Sequence, residues 1–391
     1  MISRRLPWRL RVALVTVPAA AAMFAAVALA PEAADEPVPP AELAAETRCV
    51  PIEPVTSVEG MNRLVTKVRG GSEFQGADVG ADVLLQDGRR LWVFGDTLRS
   101  QDFDGQRFVR NSMLVFQERC ANVVLPADHG ALIPDRDDGV GYWPMSIAKV
   151  ERTGYDLVGI AAQRVRSSGT PDGAFAFRNL GPAIALFIVV RGQTPQLLTV
   201  KDIGPDHDGT TRPTWGAASA VHDGWVYLYG TANPQKKGVF GYSLQVARVR
   251  PNDILATSKW RYWSGSSWQR SAAKAATLIP AEGGVSQTLS VFEQDGRWYA
   301  VSKQDEFLGS HLVVWSSPSP TGPFTEGPSV AEIPSDIASG TLRYMPLAHP
   351  DLLPEKGSVV VSYSQNSTDL GEVANNPFLY RPRFLRVDLP R

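Results

Sequence analysis

Val83-Leu-Leu-Gln-Asp-Gly88 runs into Leu91-Trp-Val-Phe94: an apolar run, a turn centred on glycine, and a second apolar run. The same pattern returns four times. Ile147 to Gly154 leads to Tyr155 to Ile160, Ala218 to Gly224 precedes Trp225 to Tyr229, Leu289 to Gly296 precedes Arg297 to Val301, and Leu352 to Gly357 precedes Ser358 to Tyr363. The turn glycines are 61 to 72 residues apart, a near-constant period that marks an internal repeat. Asp-Gly or a similar dipeptide supplies the positive φ of a tight turn, so each copy predicts an antiparallel hairpin. The flanking runs are apolar throughout rather than alternating, which suits strands covered on both faces. Each repeat has room for further strands, and Ser112 to Phe116, Ala183 to Val190, Leu244 to Val249, Leu312 to Trp315 and Phe384 to Val387 are the candidates. The expected fold is all-β, a five-bladed β-propeller. A pair of β-sandwiches would leave the period unexplained. A strand near Leu64 to Val68 is expected to pair with the last blade, closing the ring so that no edge stays free.

The composition is that of a globular chain. Of 391 residues, 43% are hydrophobic and 20% charged, while 34 Gly and 30 Pro favour many short elements over long helices. The 39 basic and 40 acidic side chains nearly cancel, and no Lys/Arg stripe lies beyond the first eleven residues, so nucleic acid is not an expected partner. Arg4, Arg5, Arg9 and Arg11 precede an uncharged stretch from Val12 to Ala30, the order of a secretory signal peptide. A retained N-terminal membrane anchor is the competing reading of residues 1–30. Residues 31–48, rich in Pro, Ala and Glu, read as a flexible linker, and 49–391 as the propeller domain. On either reading the protein is secreted or held at the cell envelope, touching a membrane only through its N-terminal segment, and a monomer is expected. In that compartment Cys49 and Cys120 are expected to form one disulfide, with two buried thiols as the alternative.

A propeller brings scattered residues to one place. Residues just before the first strand and just after the second strand of each hairpin should crowd round the axis on one face. Counting back from the turn glycines gives Asp78, Trp143, Trp215, Ser286 with Gln287, and His349; counting forward gives Asp96, Ala161 to Gln163, Thr231, Lys303 to Asp305, and Ser364 to Asn366. Asp78 and Asp96 lie at the two ends of one hairpin. Neighbouring strands are about 4.8 Å apart, so the pair is close enough to split its pKa values. Two carboxylates among aromatic platforms and neutral hydrogen-bonding groups are the equipment of glycoside hydrolysis. The plainer reading is that both aspartates cap strand ends.

The strings Gly76-Ala-Asp78-Val-Gly80, Trp92-Val-Phe-Gly-Asp96-Thr97, Arg110-Asn-Ser112, Trp215-Gly216, Tyr344-Met-Pro346, Ala348-His-Pro-Asp351 and Tyr380-Arg-Pro-Arg-Phe384 resemble a family of exported bacterial propellers catalogued as a domain of unknown function. That family includes endo-acting D-arabinanases and is distantly similar to arabinanase and invertase-type glycoside hydrolases. The resemblance spans residues 55–391. It implies that Asp78 and Asp96 are catalytic carboxylates, that His349 is a subsite or orienting residue, and that the substrate is an arabinan-like furanose polysaccharide of the cell envelope. Gln287 and Thr288 stand where relatives often carry a Glu, and neither can donate a proton as a carboxylic acid does; Asp305 or Glu306 is the nearest substitute. A non-catalytic propeller that binds carbohydrate through the same funnel is therefore the alternative function.

Trp143, Trp215, Gln287, Asp305, His349 and Asn366 are the expected substrate-binding residues. No cofactor and no metal are expected: Asp202, Asp206, Asp208 and Gly209 match a calcium loop incompletely, and the five histidines lack zinc spacing. Trp260, Trp263 and Trp268 are read as blade packing before sugar contact. Phosphate-loop and esterase-elbow motifs do not occur in the sequence.

Overall fold

The structure, a computed structural model, describes residues 43–168, 177–306 and 309–390. The expected signal peptide or anchor, and the linker as far as residue 42, lie outside the described residues. The last part of that expected linker belongs to the fold: β1 (Ala45–Glu46) pairs with a strand of the first sheet at Leu125 and Val124.

Five antiparallel sheets follow in chain order. The first contains β1, β2 (Val50–Pro51), β3 (Gly76–Leu84), β4 (Arg90–Leu98), β5 (Phe108–Val109), β6 (Ser112–Gln117) and β7 (Cys120–Leu125), in the spatial order β1-β7-β6-β4-β3 with β2 on β7 and β5 on β4. The second is β8 (Gly141–Arg152), β9 (Tyr155–Ser167), β10 (Phe177–Val190) and β11 (Gln196–Asp202). The third is β12 (Thr214–His222), β13 (Trp225–Ala232), β14 (Ser243–Val249), β15 (Arg261–Trp263) and β16 (Trp268–Gln269). The fourth is β17 (Ser290–Gln294), β18 (Arg297–Lys303), β19 (His311–Ser317) and β20 (Thr325–Glu332). The fifth is β21 (Thr341–His349), β22 (Ser358–Ser367) and β23 (Arg383–Asp388).

The innermost strands touch in a ring, β3 on β8, β8 on β12, β12 on β17, β17 on β21, and β21 back on β3. This is the five-bladed propeller. All five turn glycines have positive φ, from 70° to 87°. At Asp223-Gly224 and Asp295-Gly296 the aspartate is left-handed too, as a two-residue primed turn requires.

Burial explains why strict alternation is missing from the sequence. Along β4, Leu91 and Val93 join the core between the first and second blades, whereas Trp92 and Phe94 face the core between the fifth and first. A buried apolar cluster fills each of the five blade interfaces. Trp260 is part of such packing, its indole N–H donating to the Ile254 carbonyl at 2.9 Å.

Ring closure differs from expectation. The segment expected as a strand near Leu64 to Val68 is helix α1 (Val58–Lys67), capped by Ser57, whose side chain accepts from the Gly60 N–H. Met61, Leu64, Val65 and Val68 recur at helical spacing, and the turn-long repeat outweighs the β-branched pair. The helix packs on β23, where the Asn62 side chain bonds both the N–H and the C=O of Phe384, at 2.9 and 2.8 Å. The N-terminal strands extend the first blade instead. There Cys49 and Cys120 form the expected disulfide, a linkage typical of chains that fold outside the reducing cytoplasm.

Candidate active site

The first blade's inner hairpin is irregular next to Asp78. Register slips twice in β3, on either side of Val79, and Val79 and Gly80 adopt φ of 65° and 87°. The Val79 N–H, freed from the ladder, donates to Ser364 Oγ of the fifth blade at 2.9 Å. Bulges re-aim side chains. β8, β12 and β21 slip register at the same end, near Met145, Gly216 and Met345.

Through this bulge Asp78 reaches across to β4. Its Oδ2 accepts from the Tyr344 hydroxyl at 2.8 Å, and the Tyr380 hydroxyl and the Asp96 backbone N–H also donate to the carboxylate. Its Oδ1 lies so close over Gly95 that a Cβ there would come within 2.5 Å. Only glycine leaves room for that approach. The Asn366 amide in turn hydrogen-bonds Tyr344. Asp96 stands beside this group, its Oδ1 accepting from the Trp143 indole N–H at 2.7 Å, with Arg110 also nearby.

The two aspartates are largely enclosed by protein yet keep part of their surface open. Burial pushes Asp78 up to about 6, opposed by the tyrosine hydroxyls. Burial and then the negative field of Asp78 push Asp96 up to about 8, opposed by Trp143 and Arg110. Both carboxyls are thus raised above the ordinary carboxylate range, Asp96 with the field of Asp78 added to its burial.

The fourth blade contributes a third acid. Glu306, with φ of 59°, accepts the Gln287 N–H at 2.5 Å and is pushed up to about 7, mainly by burial. Lys303, depressed to about 8 by burial, faces Glu306 and donates to the Arg343 carbonyl at 2.7 Å. The Gln287 side chain donates to Gln163 Oε1, joining the fourth blade to the second, and the Gln287 backbone carbonyl accepts from Thr231 Oγ1 at 2.7 Å. Gln163 pairs with Trp143 in the β8–β9 register. Blades one to five thus meet through Asp78 and Asp96, Trp143 and Gln163, Thr231, Gln287 with Glu306, and Tyr344 with Asn366.

Of the residues expected here, Asp78, Asp96, Trp143, Gln287 and Asn366 come together. Asp305 precedes Glu306 in the same loop, with its N–H on the Gly284 carbonyl at 3.0 Å. Trp215 does not face the funnel. It is 6% exposed and packs 5.0 Å from Tyr262 in the core between the second and third blades. His349 lies at the opposite end of the hub, roughly 13 Å along β3 from Asp78 at strand rise. It is 1% exposed, with Nδ1 2.5 Å from Asp82 Oδ1 and Nε2 2.7 Å from Ser362 Oγ. It ties the fifth blade to the first and reaches no carboxylate of the funnel. Counting back from Gly357 misplaces it because the fifth hairpin's connection is longer: His349 pairs with Val360 at the turn end.

Tyr344, Tyr380 and Gly95 are the residues that counting from the turns missed, whereas Gln163 was counted into the ring. Tyr344 and Tyr380 stand in motifs quoted above, and the only further signal was their polarity beside apolar strands. The incomplete calcium loop is neutralised by arginines instead: Asp202 and Asp206 pair with Arg136 and Arg164, and Asp208 with Arg178. Among the described residues no cluster of three or more His, Cys, Asp or Glu is placed to hold a metal ion.

Fold and site together define a five-bladed propeller with an acidic funnel at its hub. The chain belongs to the family described as Domain of unknown function (DUF5005), which matches residues 60–389. Among solved structures it is similar to a presumed hydrolase of Bacteroides ovatus ATCC 8483, at 21% identity over 84% of this chain and 88% of that one, with a TM-score of 0.61. It is also similar to a GH43 β-xylosidase/α-arabinofuranosidase from a compost metagenome, solved with xylotriose, at 13% identity over 82% and 93% with a TM-score of 0.45. A family 117 glycoside hydrolase of Zobellia galactanivorans matches at 11% identity over 87% and 89%, also with a TM-score of 0.45. At these identities the likeness is one of fold. No curated protein matches the sequence.

Proposed function

We propose that this protein is an exported glycoside hydrolase that cleaves an arabinan-like furanose polysaccharide of the cell envelope, with Asp78 and Asp96 as its catalytic carboxyls. The observation that carries the reading is two adjoining carboxyls in unlike surroundings, Asp78 held by the Tyr344 and Tyr380 hydroxyls and the Asp96 N–H, and Asp96 held by the Trp143 indole in the negative field of Asp78. Pairs of carboxyls whose surroundings drive their pKa values apart are the recurring acid and base of glycosidases. Near neutral pH Asp96 holds its proton and Asp78 is ionised. With Oδ1 engaged by the Trp143 indole, Asp96 presents Oδ2 for the proton it gives to the glycosidic oxygen. The bond from that oxygen to the anomeric carbon then breaks as positive charge develops on the sugar. Asp78 meets that charge, as nucleophile or as base toward water. Tyr344, Tyr380 and the Asp96 N–H hold it in place and disperse its charge. Trp143, held on Asp96, offers a ring edge beside the reacting sugar. The furanose preference rests on the sequence resemblance, and the disulfide supports an extracytoplasmic site of action.

Reducing-end release from a panel of arabinans, galactans and fructans tests this. The full chain should act on arabinan, and Asp78→Asn and Asp96→Asn should each lower turnover at least ~100-fold with melting behaviour preserved. Wild-type-like turnover in both variants would end the assignment. Saturable arabinan binding with no product on long incubation would favour the non-catalytic reading instead.

A further inference from the structure

One charged side chain beside Asp96 has no part in the chemistry proposed above. Arg110 lies between β5 and β6. β4 meets β5 with Thr97 opposite Val109 and meets β6 with Phe94 opposite Ser112, one register on both sides of the gap. Carried across the gap, that register sets Arg110 opposite Asp96, as neighbours about 5 Å apart at Cβ. The arginine's stem lies on Gly141 of the second blade, where an added Cβ would overlap Cδ and Nε. Gly141 is two residues before Trp143 in β8, and the Trp143 indole holds Asp96. Strand register and the contact with Gly141 thus both put the guanidinium at the acid's side. Asp135 Oδ2 lies 3.6 Å from its Nε, and among the described residues no other polar group pairs with it. Nη1 and Nη2 are left without a hydrogen bond, yet neither is sealed in, and the side chain is 22% exposed.

A guanidinium fixed at its stem and at Nε, with both terminal nitrogens open, has donors to give to whatever enters the funnel. A neutral molecule suits it best. Asp135 offsets the arginine's own charge, and in the rest of the funnel Asp78, Asp96 and Glu306 outnumber Lys303, so an anionic sugar would meet carboxyls. Two coplanar N–H groups match two neighbouring hydroxyl oxygens of one sugar. Phe108 stands opposite Leu98, two residues further toward the rim and roughly 7 Å on at strand rise. It is 53% exposed, an aromatic face with room for a further sugar. We propose that Arg110 and Phe108 form the leaving-group side of the substrate cleft, Arg110 donating to hydroxyls of the sugar next to the cleaved bond and Phe108 carrying the sugar beyond it. The side follows from Asp96: the acid gives its proton to the departing oxygen, and these two residues flank Asp96, whereas Asp78 is flanked by the tyrosines of the fifth blade. The inference rests on the glycoside hydrolase reading, with Asp96 as its acid.

Initial rates of the full chain on arabinan and on a para-nitrophenyl glycoside of an arabinose oligosaccharide test the proposal. The aryl leaving group offers no hydroxyl to Arg110 and no second sugar to Phe108. Arg110→Lys keeps the positive charge beside Asp96 and loses the two-pronged donor. Phe108→Ala removes an exposed ring. In each variant kcat/KM should fall at least ~10-fold further on arabinan than on the aryl glycoside, mainly through a higher KM. A folding defect or a disturbed Asp96 would lower both substrates together. An unchanged ratio of the two constants in both variants would therefore overturn the proposal, and so would arabinan kcat/KM values within about twofold of wild type. A wild-type chain that releases nothing from either substrate fails earlier, at the glycoside hydrolase reading, and takes this inference with it.

Discussion

Asp78 and Asp96 differ in what their neighbours do to the charged form, and this has a kinetic signature. In the proposed mechanism Asp78 has to be ionised, so activity should be lost as pH falls through about 6. Asp96 has to be protonated, so activity should be lost as pH rises through about 8. The pH profile of kcat/KM on arabinan should be a bell with limbs near those values, which belong to the pair rather than to either residue alone. Tyr344→Phe removes a hydroxyl that stabilises ionised Asp78, so the acid limb should move up by about one pH unit, toward the alkaline limb. An acid limb unmoved in Tyr344→Phe would separate Asp78 from the rate. At this scale the sequence was half legible. The aspartates were found because one hairpin brings its two ends together, a matter of counting eight or ten residues. Tyr344 approaches Asp78 from 266 residues away, so its role depends on how the ring closes. Trp143 was found as a ring for sugar to rest on, but its indole N–H holds Asp96. Trp215 carries the same residue type and stands at the matching count, yet the bulge at Gly216 leaves it in the core.

Strands were easier to read than helix α1 at the ring's seam. Hairpin turns announce themselves locally, by Asp-Gly between apolar runs, and all five third strands lie where their Val- and Leu-rich runs predicted. α1 was misread because Leu64-Val65 looks like part of a short strand until Met61 and Val68 are counted with it. It nonetheless meets the last blade as a strand would. Asn62 spends its side-chain amide on both backbone groups of Phe384, taking the place of one residue of a fourth strand. Asn62→Ala should leave that N–H and C=O unpaired at a partly buried edge and lower unfolding stability by about 1–3 kcal/mol in urea titrations. Asn62→Asp keeps the acceptor and loses the donor, so its loss should be intermediate if both bonds count. A loss below ~0.5 kcal/mol in Asn62→Ala would mean that the apolar face of α1 alone holds the seam.

For the molecule as a whole, the disulfide and the proposed chemistry lie at opposite ends of the blades. The hub strands carry the carboxyls, while the Cys49–Cys120 bond sits at the outer edge of the first blade, where β2 lies on β7. Period and cysteine count were enough to foresee five blades and one disulfide, because both are properties of spacing along the chain. The bond joins residues 71 apart in sequence. Closing a loop of that length restricts the unfolded chain and stabilises the fold by about 4 kcal/mol in the chain-entropy account. The double variant Cys49→Ser/Cys120→Ser should lose about that much in equilibrium unfolding and release the N-terminal strands first, seen as faster hydrogen exchange in β1 and β2 than in β3. Its kcat on arabinan at 25 °C should stay within about twofold of wild type, because Tyr344 and Tyr380, which bond Asp78, and Ser364, which bonds the adjoining Val79 N–H, belong to the fifth blade rather than to the outer strands of the first. A variant that keeps its stability would show that the strand pairing of β1 and β2 already fixes the N-terminal segment. One that folds but loses turnover would show that the outer edge positions the hub, and the separation of the two ends would have to be given up.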